Sequence, residues 1–436
     1  MRIIKNIHFA QIIEQKIYRR RRKLRKNKQT NRYVHGFDNV GTVRMYYTKF
    51  IHTLSASGYI DLKFAKRIIY VPEKFSFKED FDNSMLFFKE VVSSYILSKG
   101  TITISFERCR LSSIANLTLL NVILVELAEM KTHYNKFKYS ICNRNIKIEH
   151  SKYDVRTNKY LYSYFNIKLP KEQDDGSYFV KLKLQKGKQK SYKENQKSKV
   201  SAVVVDFVNK STEEAGASLK LLGRRAIEGL LGEVLGNAED HSAPNSCWYV
   251  DAISFVEKQD NTNIVDLNLT IMNIGLSMYE GFEATKKDNH DNYQKCQDLF
   301  NIHQSQFSFK ESFNRESLFS MYLLNDGISR LKYKDKSRGN GTIKFLESFI
   351  TLGSYGTENP KFKCQLNVIS GHTTITCDND MHSFKVDGIN ILSLNKEKDI
   401  TKLPDKKYLS YNKEYFPGTI LECHIYLNKE FFQKNM

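Results

Sequence analysis

The chain has 436 residues, 41% of them hydrophobic and 12% aromatic, enough to bury the cores of two or three domains, which excludes a disordered chain. No run of eighteen or more apolar residues occurs, which excludes a sequence-evident membrane-spanning helix. The formal net charge is +20, and more than half of it lies in residues 1–32, where twelve Lys and Arg face one acid, Glu14.

Residues 1–35 read as a basic arm built around YRRRRKLRKNK (18–28). Such a block attracts phosphate on nucleic acid or on an anionic membrane face, or stays a solvated arm; charge alone carries no base readout. Its apolar residues, Ile3, Ile4, Ile7, Phe9, Ile12, Ile13 and Ile17, are interrupted by Lys5, His8 and Glu14, so no secretory signal is read. The seven cysteines are odd in number, scattered and without a C-x-x-C pair, the usage of free thiols in a reducing cytosol. The eleven histidines show no H-E-x-x-H or comparable ligand spacing.

From GYIDLKFAKRIIYVPE (58–73) the pattern becomes globular. An amphipathic helix is expected around 80–98, a strand over 100–109, a turn and long buried helix over 110–130, a short strand at 137–143 and a last helix over 153–167. The β-α-β-α-β-α order implies helices packed on a sheet through crossover connections in a domain spanning 36–170. The lysine-rich stretch 171–199 reads as a linker, apolar only at YFVKLKL. A second domain, 200–436, opens with VSAVVVDFVN and continues with a helix over 215–239 and strands at 246–257 and 263–274. A long irregular insertion follows, about 276–341, ending at the glycine turn of SRGNGTIKFLE. Strand-like runs at 364–371, 373–378 and 418–427 close the chain, and no internal repeat of fixed period is present.

The helix over 215–239 carries the chemistry. In EVLGNAEDHS, Glu233, Asn237 and Asp240 stand at i, i+4 and i+7, on one helical stripe. Two carboxylates and an amide on one stripe suit a hydrated Mg²⁺ and an attacking water: the ion wants oxygen ligands, and a carboxylate one turn away can act as general base. Read otherwise, Asp240, His241, Ser242 and Pro244 simply stop the helix, which leaves Glu233 and Asn237 unexplained.

EVLGNAEDHS resembles the E-x-x-x-N-A-x-D motif of the GHKL superfamily of gyrase-type, chaperone, histidine-kinase and mismatch-repair ATPases. The resemblance implies a Bergerat-type α/β sandwich that binds ATP with Mg²⁺. It gives Glu233 the role of general base, Asn237 that of metal ligand, and places Asp240 on the adenine and ribose side. The family's next motif, D-x-G-x-G, is matched by Asn273-Ile274-Gly275-Leu276-Ser277, with Asn in place of Asp and Ser in place of the second Gly. An amide both accepts and donates, so the choice of base is open at Asn273. Gly275 permits close backbone approach. Gly339 and Gly341 resemble the lid hinge before a helix, with Arg338 and Lys344 as phosphate contacts. PGTIL (417–421) resembles the closing motif whose Thr supports the adenine-binding side chain, which places Thr419 beside Asn273.

GTITISFERCRLSSIANLTLLNVILVEL is similar to the STAS domain of anti-sigma antagonists. That likeness sets Ser112 and Ser113 where the family carries a phosphorylatable serine; plain helix capping explains the same residues. Together these readings give an α+β protein with a STAS-like first domain and a GHKL-type second. The expected function is an ATPase switch whose lid closure signals to a protein partner. A serine protein kinase of the anti-sigma type, or a nucleotide sensor whose basic arm holds nucleic acid, are the alternatives. A homodimer is implied by the GHKL likeness.

Overall fold

The computed structural model describes residues 66–97, 100–136, 146–165, 179–188, 196–214, 221–241, 247–259, 262–306, 313–325, 364–378, 384–386 and 389–427, with positions 167, 216, 218, 219 and 328. The protein is mixed α/β, and the chain divides into two compact units, Met1–Leu169 and Pro170–Met436.

The first unit runs β1 (Ile68–Tyr70), β2 (Lys74–Phe75), α1 (Phe81–Leu97), β3 (Ile102–Ser105), β4 (Leu111–Ser112), α2 (Ile114–Lys136), β5 (Ile146–Glu149) and α3 (Val155–Phe165). The sheet β1-β3-β5 is parallel throughout, as strands joined through helices require. Ile69, Ile104 and Ile148 align across it on one face, and Ile102 aligns with Ile146. Phe75 anchors the core, with ring centroids 5.0 Å from Phe87, 5.3 Å from Phe88 and 6.1 Å from Phe106. Helix α2 is apolar around most of its girth, and Ile114, Leu117, Leu120, Ile123 and Leu127 are buried along it. The strand expected at 137–143 lies outside the described residues, and the described third strand is IKIE, which alternates more cleanly.

The second unit runs β6 (Phe179–Lys188), α4 (Gln196–Glu213), α5 (Leu221–His241), β7 (Cys247–Gln259), β8 (Thr262–Ile274), α6 (Met278–Glu283), α7 (His290–Gln304), α8 (Arg315–Tyr322), β9 (Gln365–Asp378), β10 (Phe384–Val386), β11 (Ile389–Ile391) and β12 (Leu409–Leu427). Its main sheet has the order β6-β7-β8-β12-β9, antiparallel at every pairing. Val250, Ile271, Leu421 and Val368 align across four strands, and Ala252, Leu269, Cys423 and Leu366 form the next row. Both rows share one core with Val204 and Val208 of α4 and Leu231, Val234 and Leu235 of α5, so these helices lie on that face.

Three sequence expectations are corrected here. The lysine-rich stretch is not all linker: Phe179–Lys188 is the edge strand of the sheet and α4 begins at Gln196. Alternation explains it, since Val180 and Leu182 turn inward while Lys183 faces water. The insertion after β8 is not irregular where it is described, because α6, α7 and α8 fold onto the core. Phe319 stands at the centre of a ring cluster with Tyr279, Phe282, Tyr293, Phe300 and Tyr322, at 5.7–6.2 Å. Capping boxes start two of these helices, Ser277 with Glu280 on α6 and Asn314 with Ser317 on α8. The runs 364–371 and 373–378 are one strand, β9. Among the described residues no helix is long and apolar enough to cross a membrane.

Candidate functional site

Gly187, Trp248, Asn273, Thr419 and Ser370 are register partners in turn, one from each of the five strands. This row lies two residues beyond Val250, Ile271, Leu421 and Val368, so it occupies the helix-covered face, at the end of the sheet where β8 stops. β7 begins at the same end, with Cys247 before Trp248.

Two glycines allow the row to close up. A Cβ on Gly187 would stand 1.9 Å from Trp248 Cζ2, so the indole lies over the bare backbone of β6. Gly418 has φ 139°, and a Cβ there would stand 2.0 Å from the Asn273 carbonyl oxygen, so only glycine lets β12 approach β8 so closely. Gly275 adds a tie, its N–H donating to Pro417 O at 3.1 Å.

The hydrogen bonds of the row are unevenly satisfied. Ser370 Oγ donates to Gly418 O at 3.0 Å and accepts from Met278 N at 2.8 Å. The Thr419 hydroxyl lies 3.0 Å from Ser370 Oγ and donates to it, keeping its own lone pairs. Asn273 is only 3% exposed, yet among the described residues its Nδ2 has no hydrogen-bond partner, and neither does Nε1 of the fully buried Trp248. A buried donor without an acceptor costs about 1–3 kcal/mol.

Beside this row the bend of β9 gathers titratable groups. Gly371 has φ 62°, and a Cβ on it would stand 2.1 Å from Glu316 Oε1. That oxygen accepts from His372 N at 2.8 Å, and burial holds the Glu316 carboxyl above the usual carboxylate range, aided by the Glu280 charge. Glu280 accepts from Ser277 N at 3.2 Å and from the Tyr415 hydroxyl. His372 Nδ1 donates to Asn412 O at 3.1 Å and Glu414 O at 2.9 Å.

The stripe on α5 is turned differently. Leu231, Val234, Leu235 and Ala238 face the core, while Glu233 is exposed and Asn237 half-buried. Asp240 is in the last turn of the helix, and its side chain lies outside the description, as do Arg338, Gly339 and Gly341 altogether. Asn273, Gly275 and Thr419 are therefore brought together, whereas Glu233 and Asn237 lie off the buried apolar face of α5. Ser277, read in sequence as a departure from a glycine motif, is the N-cap of α6; its S-x-x-E spacing carried that signal. Trp248, Ser370 and Gly418 were missed because only strand register reveals them.

In the first unit Ser113 caps α2, accepting from Asn116 N at 3.3 Å and donating to Asn116 Oδ1 at 2.9 Å. Ser112 is 8% exposed, with its hydroxyl 2.9 Å from Thr157 Oγ1, so it is closed to a phosphate donor in this conformation.

Among the described residues no group of three or more His, Cys, Asp or Glu is placed to hold a metal ion. An ion carried by phosphates and water needs only one or two protein oxygens, as the Asn237 side chain could supply. Scans against known protein families, characterised proteins and solved structures find no match to this chain.

Proposed function

We propose that residues 200–428 bind ATP with Mg²⁺ as a GHKL-type module, and that nucleotide occupancy switches how the protein meets a partner. The observation that carries this reading is the pairing of Asn273 with Thr419 around a buried amide donor that lacks an acceptor among the described residues. Asn273 and Thr419 meet the base, and Gly275 and Gly418 let the backbone come close. Asn237 holds the metal-bound phosphates, and Glu233 takes a proton from the attacking water when the exposed stripe is covered. The bound ion supplies charge neutralisation at the phosphates. On this reading the first unit is a STAS-like module, supported by its parallel sheet and the Ser112–Ser113 turn into α2. A cytoplasmic setting and a homodimer belong to the same proposal.

A second reading, nucleotide sensing without turnover, is favoured by one observation: Glu233 is exposed. Calorimetric titration of ATP, GTP and ADP with Mg²⁺ into wild type, Asn237→Ala and Glu233→Ala separates the cases. Binding is expected in wild type, weakened in Asn237→Ala and retained in Glu233→Ala, which loses turnover. No heat from any nucleotide in wild type rejects both readings, and turnover unchanged in Glu233→Ala rejects that residue as the base.

A further inference from the structure

The strands β1, β3 and β5 are parallel, so their carboxyl ends share one edge of the first unit. Open α/β sheets present their ligand sites at that edge. Here it carries two guanidinium–tyrosine stacks. Arg108, in the turn after β3, lies over the ring of Tyr70, the last residue of β1, with Cζ 4.4 Å from the centroid. Arg110, two residues on, lies over Tyr153, which follows β5, at 4.9 Å. Cys109 between them points inward and is fully buried, so the two arginines are driven outward together.

The turn that presents them is held from several sides. Cys109 N donates to Phe106 O at 2.8 Å, Arg110 N to Glu73 O at 2.8 Å, and Ser151 Oγ to Cys109 O at 2.5 Å. The stacks themselves face water. Tyr70 is 42% exposed and Tyr153 62%, with Leu111 beside them at 44%. No ion pair engages Arg108 among the described residues, and the Arg110–Glu73 pair is 3.9 Å long between two well-exposed side chains, too weak to hold the guanidinium against a phosphate.

Charge favours the same class of ligand. Residues 66–169 carry 17 Lys and Arg against 10 Asp and Glu, whereas residues 170–436 carry 36 against 35. Even without the basic arm, the part of the chain that bears the stacks is net positive and the second unit is close to neutral. A polyanion is drawn to such a surface, and exposed planar groups select a polyanion whose bases are unpaired and open to stacking.

We propose that the carboxyl edge of the β1-β3-β5 sheet binds single-stranded nucleic acid, with bases stacking on the Arg108–Tyr70 and Arg110–Tyr153 planes and the surrounding cations meeting phosphate. Specificity for sequence is not part of the proposal, because every base offers a face to stack on.

The test uses the full chain and a labelled oligothymidine of about twelve nucleotides, a duplex of the same length, and phosphatidylserine vesicles. The R108K/R110K variant keeps the charge and removes the guanidinium planes; Tyr153→Ala removes one ring. Both sites are exposed, and melting temperature checks that each variant folds. The basic arm is common to all proteins tested, so the differences between variants are read at a salt concentration high enough to suppress its charge-only binding. Single-strand affinity is expected to fall about tenfold or more in R108K/R110K and in Tyr153→Ala, with duplex and vesicle binding changed much less. Equal single-strand affinity in wild type and both variants overturns the proposal. So does a wild type that binds the vesicles and not the oligonucleotide.

Discussion

Asn273 on β8 and Thr419 on β12 are direct cross-strand neighbours, and the backbone of β12 can come this close to Asn273 only because residue 418 is glycine. The two side chains stand on the helix-covered face with Trp248 on one side and Ser370 on the other. Thr419 is satisfied through Ser370, while the Asn273 amide keeps an idle donor in a buried place. On the proposed function, that donor is where an acceptor of the bound nucleotide would sit.

That relationship separates stability from function. Asn273→Leu removes a donor that already lacks a partner, so stability is expected to hold or to rise by up to about 2 kcal/mol. Nucleotide affinity should fall in the same variant. Urea unfolding and calorimetric titration read the two quantities independently. A clear loss of stability with unchanged affinity would assign Asn273 a structural role instead.

Trp248 is the chain's single tryptophan, and its indole lies on Gly187. Even the smallest side chain there meets it, so Gly187→Ala should destabilise the second unit by about 1–3 kcal/mol. Trp248→Leu should relieve most of that cost, giving a strongly non-additive double mutant in urea melts. Additive losses would mean that the two positions do not touch.

His303 on α7 predicts acid sensitivity. Its Nδ1 lies 2.5 Å from the Tyr322 hydroxyl and its Nε2 3.1 Å from Lys402 O, a pattern satisfied by the neutral ring, with Nε2 donating and Nδ1 accepting. Burial holds its pKa below the ordinary histidine value. The unfolded chain therefore binds the proton first, and stability should decline as pH falls below about 6.5. His303→Gln should flatten that part of the stability profile relative to wild type. Identical slopes in the two proteins would remove His303 as a source.

The buried thiols should be poorly reactive. Burial pushes Cys109, Cys296 and Cys377 up to about 12 and Cys364 to about 11. Native protein at pH 8 should therefore resist iodoacetamide at these positions, and modify all of them once unfolded, as read by intact mass and peptide mapping. Cys247, which is only half-buried, should be modified before them. Rapid native labelling of Cys109 would contradict the packing around the Arg108–Arg110 turn.

The elements that depend on local pattern were legible in the amino-acid order. Alternation over ITIS, the apolar girth of α2, and the stripe of Leu231, Val234, Leu235 and Ala238 each follow from a period of two or of 3.6 residues. The capping signals at Ser277 and Asn314 were also present, but Ser277 was read as a worn glycine motif, which hid a helix. The edge strand β6 was obscured because lysines occupy its outward positions and mimic a linker.

The sequence by itself determined which residues could share a face: Glu233, Asn237 and Asp240 on one side of α5. Only the tertiary structure decided who stands next to whom across strands, because register pairs residues far apart in the chain and no local period encodes it. That is why the row from Gly187 to Ser370, and the stacking of Arg108 on Tyr70 of β1 and of Arg110 on Tyr153 beyond β5, came into view only once the sheets had assembled.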